Sequence, residues 1–329
     1  MLHSAGGNLL QSWGWAELKA TQGWRVDRLV AVDAADAIRG ALQLLTVRGP
    51  LGSAFAYAPR GPALEPALDA TAARLLLAEA RRLARRRHAV VLKLDPEWPA
   101  GEPAVRHLLA AGGLRDSAYD VQHRITYLVD LTGGADAVLG RIKASTRRNL
   151  RIAARGGVTV EFHADTAAVE AFYPLYAQSV RRNRFIGRDL AYVHALVRHV
   201  ATSCPLAILL ASVGGETVCG MVAAAAGPRL IYLLGGSSLA HSELRPAYLL
   251  HWRAIAWGLE QGCDVYDMWG VPSHEDPDAP QAGYYEFKRR WNGRVARHIR
   301  CQEAPLWPWL GPLPRLLERL ALRGRPLLN

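Results

Sequence analysis

A short block near the C-terminus carries residue types that can bind a charged ligand. It reads GYYEFKRRWNG over residues 283–293, and it sets two tyrosines, a phenylalanine, an acid and three consecutive cations between two glycines. Such a mixture is unusual in a core strand, because buried polar groups must find partners. Phe287 and Lys288 stand at its centre and are therefore candidate ligand-binding residues.

Two aspartates follow predicted strands, at the place where α/β folds expose residues that face a ligand. Asp95 comes after AVVLKL, and Asp267 lies within CDVYDMWGVP. Either carboxylate could accept a proton or hold an amine. Aspartate is also a common turn former, particularly before proline as in Asp95-Pro96, so both interpretations remain open.

Cations cluster in three places along the chain. In RIKASTRRNLRIAARGG, residues 141–157, helical spacing puts the apolar residues on one face and the cations on another. This face is either a solvated surface or a surface for RNA or phosphate. The cations of this segment are Arg141, Lys143, Arg147, Arg148, Arg151 and Arg155. A second cluster comprises Arg181, Arg182, Arg184 and Arg188; a third, Arg81, Arg82, Arg85, Arg86 and Arg87, ends a predicted helix, where cations suit the helix dipole.

The chain has 329 residues, with 40 lysines and arginines against 29 acids, a formal charge of +11. This excess favours anionic partners such as RNA, phosphorylated metabolites or anionic lipid, although it could also serve solubility or reflect an arginine-rich genome. The length predicts two domains of ordinary size.

Several classes of site are not indicated by the sequence. The four cysteines are far apart without a CxxC pair, which predicts reduced, mostly buried thiols. There is no HExxH, GxSxG or GxxxxGK[ST] motif. Gly-Gly-Ser-Ser at 235–238 lacks dinucleotide-site spacing and predicts a turn that lets a ligand approach the backbone. We expect no metal and no bound cofactor. Without a signal peptide or an apolar span, the chain is expected to be cytoplasmic.

The predicted elements occur in the same order twice. A strand hairpin, a glycine-bearing loop, a helix and a strand run from residue 24 to 95, and the order returns from residue 206 to 272. We therefore predict an α/β fold of two related domains with a cleft between them. The first comprises residues 1–140 plus about 300–329, and the second residues 141–299. The C-terminal segment is expected to pack on the first domain, with an anionic membrane surface as the alternative contact.

Read together, these blocks resemble the Fem (FemABX) family of aminoacyl-tRNA-dependent peptidyltransferases, which attach amino acids to the stem peptide of peptidoglycan precursors. The resemblance covers nearly the whole chain. It rests on LLQSWGWAELKATQGW, YAPRGP, LKLDP, TRRNLRIAARGGVTV, the segment from Tyr232 to Pro272, and YYEFKRRWNG. It implies two tandem acetyltransferase-like (GNAT-like) domains. Some members carry a helical arm, whereas the stretch between Val271 and Gly283 is short here, as in the compact type.

The resemblance also implies partners and residue roles. The donor would be aminoacyl-tRNA, used as a co-substrate, and the acceptor a UDP-linked or lipid-linked muropeptide. We expect a monomer with peripheral contact to the inner face of the membrane. Phe287 and Lys288 would meet the aminoacylated end of the tRNA, with Lys288 near the developing negative charge; a Lys288 enclosed in a core would contradict that role. Asp95 would primarily position the substrate, with general-base catalysis as the alternative role. The acceptor-binding residues would be Lys19, Arg188, Tyr192 and Tyr232.

Two other functions remain open. The first is an acyl-CoA-dependent N-acyltransferase of the GNAT type, although the chain shows no pyrophosphate-binding Q/RxxGxG/A loop after a strand. The second is a non-catalytic protein that binds RNA or a membrane surface through the basic faces.

Overall fold

The computed structural model describes residues 7–65, 69–183, 185–271, 282–307 and 316–317. Arg184, most of the short stretch between Val271 and Gly283, and nearly all of the C-terminal segment after Trp307 lie outside these residues. The predictions about the missing arm and about C-terminal packing therefore stay predictions.

The described residues form the following elements. The strands are β1 (Arg25–Val32), β2 (Ile38–Arg48), β3 (Ala54–Ala58), β4 (Ala63–Leu64), β5 (Ala89–Leu94), β6 (Arg115–Asp116), β7 (Ile125–Asp130), β8 (Thr159–His163), β9 (Leu206–Val213), β10 (Glu216–Ala226), β11 (Arg229–Ser237), β12 (Val265–Gly270), β13 (Arg294–Arg297) and β14 (Gln302–Pro305). The α-helices are α1 (Trp13–Thr21), α2 (Ala70–Arg86), α3 (Pro103–Ala111), α4 (Gly134–Arg141), α5 (Ala144–Arg155), α6 (Ala168–Asn183), α7 (Leu190–Val200), α8 (Pro246–Glu260) and α9 (Ala282–Arg289).

The strands make two mixed sheets with the same internal plan. The first has the order β1-β2-β3-β5-β14-β6, with β4 beside β2; the second has the order β13-β7-β12-β11-β10-β9-β8. In the first sheet β3 and β5 are parallel and are connected through α2, and in the second β11 and β12 are parallel and are connected through α8. This confirms the repeated order of elements and the α/β class.

The chain divides into two compact units. The first contains Met1–Arg124 and Arg297–Asn329, and the second contains Ile125–Ala296. The predicted boundary at residue 140 is later in the chain than the start of the second unit at Ile125. The difference arises because the apolar strand β7 pairs with β12 of the second sheet. In the first sheet the matching position beside β5 is taken by β14.

A buried ion pair fixes β14 in the first sheet. The Glu303 carboxylate lies 3.6 Å from the Lys93 ammonium on β5 and 3.1 Å from the Arg115 guanidinium on β6. Lys93 also donates a hydrogen bond of 2.7 Å to the Ser117 hydroxyl. Because separating a buried pair leaves an uncompensated charge, these contacts specify where β14 docks.

The apolar cores follow from the alternation and helical spacing of the sequence. Helix α2 begins after Asp69, whose side chain accepts hydrogen bonds from the amides of Thr71 and Ala72, and it buries Leu76 and Leu77 against the first sheet. The four cysteines are free and buried, as predicted. Among the described residues, none of the helices combines the length and apolarity that crossing a bilayer requires.

Strands β11 and β12 separate part of the way along. Their pairing covers Arg229–Ile231 against Val265–Asp267, although the strands continue to Ser237 and Gly270. Tyr232 is the first residue of β11 beyond the last pair. The residues that carry the candidate chemistry of the second unit lie around this separation.

Candidate functional site

Lys288 lies on α9, and its ammonium is bound at the end of β12. The ammonium donates hydrogen bonds of 2.7 Å to the Gly270 carbonyl and 3.2 Å to the Trp269 carbonyl. It also lies 3.8 Å from the centroid of the Tyr284 ring. The pairing of β12 with β7 is irregular between Asp267 and Gly270, and Trp269 has a left-handed φ of 67°. At this irregularity both carbonyls accept from the lysine.

Asp267 holds the irregular strand end in place. Its carboxylate accepts hydrogen bonds from the Trp269 amide at 2.8 Å, from the Arg229 guanidinium at 3.3 Å and from the Thr126 hydroxyl. The side chain is 2% exposed. Asp267 therefore forms the turn and accepts hydrogen bonds from buried donors. This supports the turn-forming interpretation rather than the ligand-facing one.

Burial sets the electrostatics of Lys288. The side chain is 1% exposed, and burial lowers its pKa well below the usual lysine value, while the Asp267 carboxylate opposes this shift. This enclosure differs from the expectation of a lysine open to substrate. The contacts of its ammonium are two carbonyls and the Tyr284 ring. Tyr284, whose ring lies against the ammonium, is itself 42% exposed.

Phe287 packs in a group of aromatic rings centred on His251. The His251 ring centroid lies 4.9 Å from that of Phe287, 5.2 Å from that of Tyr232 and 5.8 Å from that of Trp291. Its Nδ1 lies 2.8 Å from the Tyr266 hydroxyl. The structure thus brings together three predicted site residues, Phe287, Lys288 and Tyr232, around a histidine that the sequence did not single out.

His251 is neutral at physiological pH. Burial lowers its pKa to about 3, and the neighbouring Lys288 ammonium contributes to the same shift. A neutral imidazole adds no repulsion to the lysine. In the sequence it is one histidine on the apolar face of α8, a pattern that is usually a core position, so no motif marked it.

Arg188 and Tyr192 form a second cluster in the same unit. The Arg188 guanidinium carbon lies 4.7 Å from the centroid of the Tyr192 ring, a cation–π arrangement. The Arg188 amide donates a hydrogen bond of 3.0 Å to the Tyr176 hydroxyl, and the Arg188 carbonyl accepts one of 3.2 Å from Tyr173. Burial raises the pKa of Tyr192 to about 12. The predicted Arg-Tyr pair is therefore in contact, and Tyr176 was missed.

The glycines after Tyr232 make room for the protein's own groups. They lie inside β11 rather than in a turn. A Cβ on Gly235 would lie 1.7 Å from the Tyr232 hydroxyl, and one on Gly236 would lie 2.3 Å from the Tyr176 amide nitrogen. The prediction of a turn that lets a ligand approach the backbone is thus wrong. The glycines lie in a strand, and the Tyr232 side chain and the α6 backbone occupy the space beside them.

Asp95 is the centre of a buried hydrogen-bond network in the first unit. One carboxylate oxygen accepts from the Arg60 amide at 2.8 Å, and the other accepts from the Tyr57 hydroxyl at 2.7 Å and the Gln122 amide at 3.1 Å. Burial raises the pKa of the Asp95 carboxyl, and the Arg60 guanidinium opposes this. Because three donors already bind the two carboxylate oxygens, the geometry favours a role for Asp95 in holding the YAPRGP loop rather than a role in proton transfer.

We expect the Asp95→Asn variant to lose about 2 kcal/mol of stability, because an amide nitrogen on either side would face a buried backbone N–H. Urea denaturation measures this. Tyr57→Phe, which removes one donor and leaves the carboxylate in place, is the matched control and should cost less. Loss of the acidic limb of the pH–rate profile in Asp95→Asn would instead identify Asp95 as the general base.

Lys19 is buried in the first unit, on α1. Its side chain is 1% exposed, and its ammonium donates a hydrogen bond of 3.2 Å to the Gln22 side chain and lies 5.1 Å from the centroid of a Trp15 ring. Its assignment to acceptor binding remains a prediction.

The fold and these clusters define a class of protein, the tandem acetyltransferase-like proteins. Residues 140–289 match the acetyltransferase (GNAT) domain family. The chain is similar in fold to a tandem GNAT protein from the clavulanic acid biosynthesis pathway, with a TM-score of 0.53, 15% identity and coverage of 86% of this chain and 84% of that one. It is more similar to the crystal structure of FemX, with a TM-score of 0.88, 21% identity and 96% coverage of each chain.

Within that class, the chain is similar to members of the Fem family. Residues 2–105 match the FemAB family. The chain is 24% identical to the UDP-N-acetylmuramoylpentapeptide-lysine N(6)-alanyltransferase of Weissella viridescens, over 97% of this chain and 92% of the relative. It is 23% identical to the lipid II:glycine glycyltransferase of Staphylococcus aureus strain MRSA252, over 89% and 87%. The latter alignment spans 368 positions, more than the 329 residues here, so that relative carries residues inserted relative to this chain.

Proposed function

We propose that this protein transfers an amino acid from aminoacyl-tRNA to an amine of a peptidoglycan precursor stem peptide. The observation that carries the proposal is the Lys288 ammonium, held at the end of β12 beside Phe287. The alanyltransferase named above acts on a UDP-linked pentapeptide and the glycyltransferase on lipid II. A precursor of this kind is the acceptor that we assign here.

The reaction needs a group that stabilises a transient negative charge. The acceptor amine attacks the ester carbonyl carbon, a C–N bond forms, and the carbonyl oxygen becomes an oxyanion. The intermediate then collapses by breaking the ester C–O bond; the ribose oxygen leaves and gains a proton, and the amine loses one. A protonated lysine has three N–H donors, of which two go to the Trp269 and Gly270 carbonyls. The third is offered to the oxyanion once the Tyr284 ring has moved.

The surroundings of Lys288 suit this role. The carbonyls fix the ammonium in one place, which limits reorganisation during the reaction. Phe287 offers an aromatic surface for the terminal nucleotide.

The residues assigned to binding the acceptor supply positive charge and position the substrate. Lys19, in the first unit, offers a point charge and is proposed separately as an acceptor-binding residue. Arg188, in the second unit, has the fork geometry that binds phosphate and is assigned to the diphosphate of the acceptor. Tyr192 and Tyr232 complete that assignment. Asp95 positions the loop at Arg60, as its three hydrogen bonds indicate.

The proposal is tested by mass spectrometry of precursor peptides after incubation with a pool of charged tRNAs. UDP-linked and lipid-linked acceptors are assayed separately, with acetyl-CoA as an alternative donor and with ribonuclease-treated tRNA as the control. We expect a mass increase of one or more amino-acid residues that ribonuclease abolishes. An acetyl increase from acetyl-CoA without aminoacyl transfer would favour the acyl-CoA-dependent function, and RNA binding without either product would favour a non-catalytic role.

A further inference from the structure

The structure sorts the arginines of segment 141–157 into two groups. Arg147 donates hydrogen bonds to the carbonyls of Leu139, Gly140 and Ile142 at 3.2, 3.3 and 2.6 Å, where α4 ends. Arg141 donates to the carbonyls of Asp130 and Thr132. These two arginines stabilise the ends of neighbouring elements.

The remaining arginines form a stripe on α5. Arg148, Arg151 and Arg155 are exposed and follow the i, i+3, i+7 spacing of one helix face, while Leu150 and Ala153 are buried on another. Within the described part of the chain, none of the three arginines has an ion-pair partner. Residues at this spacing are about 5–6 Å apart along a helix surface. We call these three residues the α5 arginine stripe.

Helix α5 is attached directly to the segment that carries Lys288. The Thr146 hydroxyl donates a hydrogen bond of 2.6 Å to the Arg290 carbonyl just after α9. The Asn292 side chain donates one of 2.8 Å to the Arg141 carbonyl, between α4 and α5. The first turn of α5 is thus held beside the Lys288 block, and Arg290 adds an exposed cation at this junction.

The chemistry of the stripe favours RNA over a membrane. A membrane-surface helix inserts apolar side chains below its cations. The apolar face of α5 instead packs within the unit, with Leu150 and Ala153 in the hydrophobic core, and none of the large exposed hydrophobic residues lies on this helix. Guanidinium groups at regular spacing match the repeating phosphates of a nucleic-acid backbone.

We propose that the α5 arginine stripe binds the phosphate backbone of the donor RNA near its aminoacylated end. The identity of that RNA rests on the proposed function, whereas its binding to the stripe does not. Contacts of this kind are independent of nucleotide sequence and weaken with salt.

The test compares two variants that each remove three positive charges. Arg148, Arg151 and Arg155 are replaced by glutamine in one, and the exposed Arg85, Arg86 and Arg106 of the first unit are replaced in the other. Binding of uncharged tRNA is measured by fluorescence anisotropy at several salt concentrations. We expect the stripe variant to bind about tenfold more weakly near physiological salt, with a salt slope reduced by about 2–3, and the control to bind like the parent protein.

Transfer assays separate the surface from the reaction. With full-length charged tRNA the stripe variant should show a raised KM and a nearly unchanged kcat, whereas a short aminoacylated CCA trinucleotide should be used equally well by both variants. Equal tRNA binding by the parent and stripe variants would overturn the proposal, as would a loss confined to anionic vesicles of phosphatidylglycerol. If no donor supports transfer but the stripe variant still loses tRNA affinity, the surface stands and the proposed function fails.

Discussion

Lys288→Ala is expected to lower the rate of amino-acid transfer by about 10²–10³-fold, the loss seen when one donor to an oxyanion is removed. The ammonium is the cation held by the Trp269 and Gly270 carbonyls, and alanine cannot replace its N–H groups. The rate is measured with charged tRNA at saturating acceptor. The fold should persist, because the change also removes a buried charge that burial disfavours.

Lys288→Met tests whether the loss of activity comes from the missing side-chain volume rather than from the missing charge. Methionine fills much of the same space without a charge, so it should be as inactive as alanine with smaller disturbance of the packing. Thermal denaturation of both variants checks that the second unit remains folded. Near-normal turnover by either folded variant would rule out the proposed role of Lys288.

Gly236→Ala should have the largest effect on stability, a loss of about 3 kcal/mol or more. The new Cβ would lie 2.3 Å from the Tyr176 amide nitrogen and 2.4 Å from the Leu175 carbonyl carbon. These are backbone atoms of α6 and cannot move aside like a side chain, so α6 must shift away from β11. The urea midpoint measures the loss.

Gly140→Ala is the matched control for this prediction. Nothing lies within 4 Å of the Cβ that it adds, and the residue lies inside α4. Alanine is favoured over glycine in a helix, so this variant should be as stable as the parent protein or gain up to about 1 kcal/mol. Equal midpoints for Gly236→Ala and the parent would show that the close approach of α6 and β11 is not required.

The repeated architecture could be predicted because local patterns determine it. Apolar runs with a helix between them occur in the same order in both halves. The structure has them as β3, α2 and β5 in the first half and as β11, α8 and β12 in the second, where Pro246 opens the helix. The domain boundary depended on a non-local choice. The strand Ile125–Asp130 is apolar enough for either sheet, and its pairing with β12 and β13 places it in the second.

The candidate site was predicted less completely than the fold. Motif resemblance selected Lys288, Phe287 and Asp95 as candidates, but it did not indicate the enclosure of Lys288, because the carbonyls that bind it belong to an irregular strand end 18 and 19 residues earlier in the chain. His251 was missed because its importance comes from rings of three other elements that surround it. The block around Phe287 forms helix α9, with cations in its last turn that suit the helix dipole.

The position of β14 has a consequence for synthesis on the ribosome. All strands of the second sheet precede Cys301, whereas the first sheet gains β14 between β5 and β6 from residues 302–305. The N-terminal unit is therefore completed after the unit that follows it in the chain. Until then one edge of β5 is unpaired, and the Lys93 ammonium lacks the Glu303 carboxylate as its ion-pair partner. During synthesis the N-terminal unit therefore stays incomplete until residues 302–305 emerge, and its unpaired β5 edge is where a chaperone would protect the nascent chain from aggregation.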